Sequence, residues 1–225
     1  LGPGDGRIGW WDMTRVMLVN PPPLRAPGAG DPAGQPVNRK ANVLSPPLGL
    51  MYLAQPLVDA GHEVTIWDGQ VEPLSRDAFV GRLDALQPDL VGFTVFTDSY
   101  PATLTIAGAV KEWRAATRVV FGGPHVTFQD AAPLQTGLVD IVVRNEGERA
   151  IVELADCPKS HAAAELERIR GITFRAADDG DVHIRRTADR PFAPDLDALA
   201  LPNRDLVDLR RYRRNGILVA SRGCP

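Results

Sequence analysis

The sequence has only two cysteines, Cys157 and Cys224, among 225 residues. Two thiols so far apart build no disulfide framework, and they fit a reducing, cytoplasmic setting. No apolar run approaches the roughly 18–20 residues that a membrane span requires, so no membrane partner is expected. Basic charge is not in surplus either: the formal net charge is −3. A nucleic-acid binder would show a basic stripe against the phosphates, so nucleic acid is not expected as a partner. The arginines at 210, 211, 213 and 214 do cluster, and they read as a solvated face or linker. Residues 1–12 lack the basic start and apolar core of a signal peptide and read as a leader or disordered segment up to about residue 14.

What is present is ordinary globular composition, 44% hydrophobic and 24% charged. Short apolar runs alternate with helical periodicity. Strands are predicted at 15–20, 63–68, 90–96, 118–121 and 140–144, each bounded by turn residues. Helices are predicted from Pro46 to the Gly61 cap, over 75–86, over 100–116, over 128–136 and from about 148 to 154. Such alternation predicts an α/β fold with a doubly wound, five-stranded parallel sheet in the order 2-1-3-4-5, flavodoxin-like or Rossmann-like. A β-hairpin follows, with segments 169–174 and 182–185 around an Asp-Gly turn. A Pro-rich linker spans about 191–202, residues 203–214 read as a short helix, and 216–221 as a new strand. The expected organisation is thus a ligand-binding domain at 15–156, hairpin and linker at 157–215, and at 216–225 the first strand of a further fold lying beyond the sequence.

In doubly wound sheets, ligands sit beyond the carboxyl ends of the strands. Four loops fall there: 20–42, 96–100, 122–127 and 145–148. The candidates on them are Asn20 and Pro21; Phe96, Thr97, Asp98, Ser99 and Tyr100; Gly122, Gly123, Pro124, His125 and Val126; and Asn145, Glu146 and Gly147. Glycine lets a ligand approach the main chain, and hydroxyls and free N–H groups suit an amide-bearing, phosphate-bearing ligand. A nucleotide could use the same surface, but no Gly-x-Gly-x-x-Gly follows the first strand. That strand also lacks the acidic pair of a receiver domain. Glu146 reads as an organiser of its loop and Asp98 as the cap of the helix that follows. His62, His161 and His183 read as surface residues and Cys157 as structural. His125 either contacts the ligand or pins its loop.

An ordered set of motifs carries a resemblance. It comprises Pro46-Pro47-Leu48-Gly49-Leu50, the Gly61-His62-Glu63-Val64 turn, Val91-Gly92-Phe93, Gly122-Gly123-Pro124-His125 and Arg144-Asn145-Glu146-Gly147-Glu148. Pro202-Asn203-Arg204-Asp205-Leu206 and Ser221-Arg222-Gly223-Cys224-Pro225 follow. Over about residues 15–225 the chain resembles the N-terminal half of cobalamin-dependent radical S-adenosylmethionine (SAM) enzymes. The resemblance implies cobalamin as cofactor and adds Leu48 to the candidates. It implies that Cys224 is the first ligand of a Cys-x-x-x-Cys-x-x-Cys motif. In the intact protein that motif would hold a [4Fe–4S] cluster, whose fourth iron SAM chelates. It also implies a radical SAM domain of the same polypeptide as partner, and methyl transfer to an unactivated centre as the activity. The first loop reads Pro21-Pro22-Pro23-Leu24-Arg25, without the Asp-x-His-x-x-Gly of methionine-synthase-like domains, so no histidine ligand to cobalt is expected from it. The alternative is a stand-alone module that binds cobalamin or a nucleotide without catalysis.

Overall fold

A computed structural model describes residues 13–22, 45–72, 75–157, 162–178 and 181–222. The first strand, β1 (Arg15–Asn20), is buried almost throughout, as a parallel strand covered on both faces must be. Helix α1 (Leu48–Asp59) follows and ends at Gly61, whose φ of 89° takes the left-handed turn that glycine allows. Then come β2 (Glu63–Asp68), α2 (Arg76–Leu86), β3 (Leu90–Thr94), α3 (Tyr100–Trp113) and β4 (Arg118–Gly122). Two short helices, α4 (Pro124–Phe128) and α5 (Ala131–Gln135), lead to β5 (Ile141–Val143) and α6 (Glu148–Asp156). Last are α7 (Ala163–Leu166), β6 (Ile172–Asp178) and β7 (Asp181–Arg186).

Strands β1 to β5 run parallel, with β1 between β2 and β3. The core divides between the two faces of the sheet. On one face, Leu50, Met51, Ala54 and Leu57 of α1 and Ile151 and Leu154 of α6 pack on Val16 and Leu18. On the other, Phe79 and Leu83 of α2 and Ile106 and Val110 of α3 pack on Met17 and Val19. Alternate residues of one strand thus serve opposite faces.

Four expectations are corrected. The sheet has seven strands in the order β2-β1-β3-β4-β5-β6-β7, not five, because the hairpin joins it antiparallel to β5. Strand β5 is only three residues long, and an uncovered edge there would leave its backbone groups unpaired. Residues 128–136 are not one helix: Gln129 leaves helical geometry at φ −127° and ψ 51°. Residues 203–214 hold only a 3-10 turn at Leu209–Arg211. Residues 216–222 form no strand, since no neighbouring strand offers them a ladder. His62 is also corrected, from surface to 5% exposed. Its Nδ1 accepts the Thr14 N–H at 3.3 Å, and its Nε2 lies 3.2 Å from Asp156. The turn holding it is wedged between the start of β1 and the end of α6. The Asp-Gly turn of the hairpin, at Asp179 and Gly180, lies outside the described residues.

After β7 the chain runs back over the domain as a strap. Asn203 donates its N–H to the Met51 carbonyl at 2.9 Å, and Leu206, Val207 and Leu209 pack on the α1 side of the core. The Tyr212 hydroxyl donates to Asp68 Oδ2 at 2.8 Å. Asp68 Oδ1 accepts from Asn20 Nδ2 at 2.9 Å and from the Gln70 N–H at 3.0 Å. This network fastens the strap to the carboxyl ends of β1 and β2. Burial pushes the Asp68 carboxyl above its usual value of 3.8, against the lowering effect of its three donors. Burial also raises the Tyr212 hydroxyl, as does Asp68, so the tyrosine stays a donor.

Tyr212→Phe removes a buried donor from a carboxylate, and chemical denaturation should show a loss of about 1–3 kcal/mol. The pH dependence follows from the raised folded-state pKa of Asp68. Its contribution to stability is full below the unfolded value and is lost as pH rises through the folded value. Melting curves from about pH 3.5 to about pH 7 should therefore show wild type losing stability relative to Asp68→Asn. A pH-independent difference between the two would contradict this account.

Candidate functional site

A slot of about 440 Å³ opens at the carboxyl end of the sheet, between the sheet and helices α1 and α6. Its floor is a row of neighbouring strand residues, Leu18, Gly92 and Val120, which the parallel register places side by side. Gly92 deepens the row: a Cβ there would lie 3.1 Å from Leu18 Cδ2. Leu48 and Leu53 of α1 and Ile151 of α6 form the apolar sides. Phe96, Asn145, Glu146, Glu148 and Arg222 stand among its rim residues.

Backbone geometry makes the space. Gly123 has φ of 105°, a region closed to most side chains, and a Cβ there would lie 2.9 Å from both the N and the O of Val95. The end of β3 and the start of α4 can touch only because that atom is missing. The His125 N–H donates to the Val95 carbonyl at 3.2 Å across the same contact. Asn145 is left-handed at φ 59°, a conformation that asparagine tolerates better than most, and its N–H donates to Thr127 Oγ1 at 3.1 Å. That turn swings the chain from β5 into α6 and sets Glu146, Gly147 and Glu148 against the slot.

Of the residues proposed from sequence, the slot gathers Leu48, Phe96, Gly122, Gly123, Pro124, Asn145, Glu146 and Gly147. Thr97, Tyr100 and His125 form a cluster outside its lining. Thr97 Oγ1 is 3.2 Å from His125 Nδ1, and the Tyr100 and His125 rings are 4.4 Å apart. Ser99 pins its own loop, its hydroxyl accepting the Phe96 N–H at 3.2 Å. Asp98 is exposed and gives no cap: α3 starts after Ser99 with no side-chain cap bond. Val126 is fully buried in the core of the opposite sheet face. Asn20 is bound to Asp68 and, with Pro21, is buried away from the slot lining. Glu146 does organise the chain around it, accepting the Ala193 N–H at 2.7 Å. Cys224, His161 and residues 23–44 of the first loop lie outside the described residues.

Sequence reasoning missed Tyr52, Leu53, Gly92, Glu148 and Arg222 as slot residues. A glycine inside an apolar strand is a signal of close approach, and Gly92 carried it. Glu148 and Arg222 lay inside quoted motifs, but nothing in the sequence paired them. The structure does: Arg222 Nη1 is 2.6 Å from Glu148 Oε1 and 3.4 Å from Glu146 Oε1.

Comparison with known proteins is consistent with this geometry. The B12 binding domain family matches residues 34–155. Over 218 residues, 95% of the chain, it is 32% identical to an uncharacterized methyltransferase of Pyrococcus horikoshii and spans 44% of that protein. An anaerobic magnesium-protoporphyrin IX monomethyl ester cyclase of Synechocystis is 32% identical over 94% of the chain, which spans 40% of the cyclase. A hopanoid C-3 methylase of Methylococcus capsulatus is 30% identical over 94% of the chain, spanning 38% of the methylase. The chain thus spans less than half the length of these relatives. Among solved structures, the cobalamin-dependent SAM radical enzyme OxsB shares the fold with a TM-score of 0.61 at 16% identity, covering 80% of this chain and 22% of OxsB. The radical SAM methyltransferase TsrM of Kitasatospora setae has a TM-score of 0.57 at 19% identity, covering 91% of this chain and 36% of TsrM. By sequence this chain belongs to the B12 binding domain family, and it shares its fold with part of the radical SAM proteins OxsB and TsrM.

Proposed function

We propose that this chain holds cobalamin for a longer radical SAM enzyme, and that the activity is methyl transfer. The observation that carries the reading is the glycine-floored apolar slot at the carboxyl ends of β1, β3 and β4. It suits a flat ring bound between the sheet and two helices. At about 440 Å³ it would accommodate part of a cofactor. Leu18, Leu48, Leu53, Val120 and Ile151 would supply dispersion and exclude water. Gly122 and Gly123 would let the cofactor approach the backbone. Phe96, Thr97 and His125 stand beside the mouth with side chains suited to the polar fringe of the ring. Bound cobalamin would supply a cobalt centre that carries a methyl group; the side chains here would bind and orient it.

The methyltransferase reading is supported by relatives named as a methyltransferase and a methylase; the name of the Synechocystis cyclase points to a different outcome in a relative of similar identity. A [4Fe–4S] cluster with Cys224 as first ligand, SAM chelated to it, and a radical SAM domain on the same polypeptide complete the proposal. We take the cofactor-binding unit to begin at residue 15 and to extend past the expected limit of 156, because the hairpin lies in the same sheet and the strap is bound to Asp68 through Tyr212. The charge and cysteine content favour a cytoplasmic protein without a nucleic-acid partner.

Purified protein mixed with hydroxocobalamin should carry a red chromophore through gel filtration at about one per chain. A folded but colourless protein would count against the reading. Gly122→Val tests the slot itself. A Cβ at Gly122 meets nothing closer than 3.8 Å, so the variant should melt as wild type does while its branched side chain fills the slot and weakens binding at least about tenfold. Gly123→Ala should do the reverse. It forces a side chain into φ 105° against the Val95 backbone and should cost about 1–3 kcal/mol of stability by denaturation.

A further inference from the structure

Apolar burial does little to hold the last described stretch of the strap. After Tyr212, residues 213–221 are exposed except for Ile217. Leu218 is 72% and Val219 44% exposed, so apolar burial does not fasten this segment. Upstream, Arg204 donates to the Asn215 and Ile217 carbonyls, which shapes the strap but does not join it to the slot. Arg222 does. Its guanidinium lies against both Glu146 and Glu148 and 5.2 Å from the centre of the Tyr52 ring. Arg222, Glu146 and Glu148 are 22%, 19% and 13% exposed in their side chains, well below the level at which solvent cancels an ion pair. The three partners come from α1, from the β5–α6 turn and from the start of α6, which are the walls of the slot. Arg222 and Val219 themselves line its mouth.

We propose that Arg222 is a positioning residue: it clasps the strap across the mouth of the slot and so governs how long the slot retains its occupant. The proposal rests on the cobalamin reading of the slot for the identity of that occupant. The clasp itself stands on the charge geometry alone. Two carboxylates facing one guanidinium leave an uncompensated, partly buried anionic pair when the arginine is replaced by a neutral residue. The closed strap then loses its charged tie to Glu146 and Glu148. A lid held by such contacts slows escape more than entry, because the contacts exist in the closed state and not in the encounter.

Two measurements on the full chain test this. The first needs no cofactor. Trypsin must take an arginine side chain into its own pocket, so a clasped Arg222 is a poor site. Limited digestion followed by mass spectrometry should show cleavage after Arg222 to be slower than after the exposed Arg214, and Glu148→Gln should shrink the gap. The second measures release of bound hydroxocobalamin by dilution into excess competing cobalamin. Arg222→Gln and Glu148→Gln should each speed release about ten- to hundredfold, the scale of charged hydrogen bonds, with the association rate changed by less than about threefold. The charge swap Arg222→Glu with Glu148→Arg should recover part of the retention. Arg210→Gln should leave release unchanged, since among the described residues Arg210 pairs with Asp208 on the strap's own turn. Unchanged release in both single variants overturns the proposal. So does wild-type cleavage at Arg222 as fast as at Arg214, whatever the cofactor does. Protection of Arg222 in a protein that binds no hydroxocobalamin would support the clasp and overturn the cobalamin reading instead.

Discussion

Parallel pairing is the constraint from which the rest of this structure follows. A strand cannot turn back directly into a parallel neighbour; the chain must cross the sheet first, and a helix is the economical crossing. Four such crossings bring the outgoing ends of β1, β3, β4 and β5 to the same edge. Because β1 sits between β2 and β3, the crossing from β1 to β2 and the crossing from β2 to β3 run in opposite directions and pass on opposite faces. Helices α1 and α6 cover one face and α2 and α3 the other. The loops at the carboxyl edge therefore diverge, and the slot lies where they part.

Glycine and charge then shape that opening in different ways. Gly92 and Gly123 work by absence: a Cβ at Gly92 would crowd Leu18 in the floor of the slot, and one at Gly123 would collide with the Val95 backbone, so that the end of β3 and the start of α4 meet closely. The arginines work by pairing. Arg144, 1% exposed, donates to Thr173 Oγ1 at 2.6 Å, to Asp189 at 2.8 Å and to the Thr187 carbonyl at 2.7 Å, which ties the segment after β7 to the sheet. Arg222 does the same for the end of the strap. The Arg144 guanidinium is held because its Nε, Nη1 and Nη2 each find an acceptor, and such buried groups define position more than they add stability.

The relatives widen the meaning of this arrangement. A methyltransferase, a cyclase and a hopanoid methylase are 30–32% identical to the chain over nearly its whole length, which spans 38–44% of theirs. Their names point to different outcomes. A domain that holds a cofactor and leaves the reacting partner to the rest of the polypeptide can serve all of them, because the demands on its slot do not change with the substrate.

The sequence by itself determined the parallel α/β core. Continuous apolar runs such as Val16-Met17-Leu18-Val19 can be buried on both faces only in such a sheet, and periodicity is a local property. It also determined which loops meet at the carboxyl edge, since that follows from alternation and handedness. Tertiary structure alone decided the rest. The hairpin became part of the main sheet because β5 offered a bare edge, which no local pattern announces. Asn20 and Val126, placed in candidate loops by their position, turned away from the slot because Asp68 and the opposite core face held them. Gly92 and Arg222 turned toward it, one from mid-strand and one from the far end of the strap. Contacts between residues as distant as Arg222 and Tyr52 depend on where the whole chain has travelled, and a motif records only its own few residues.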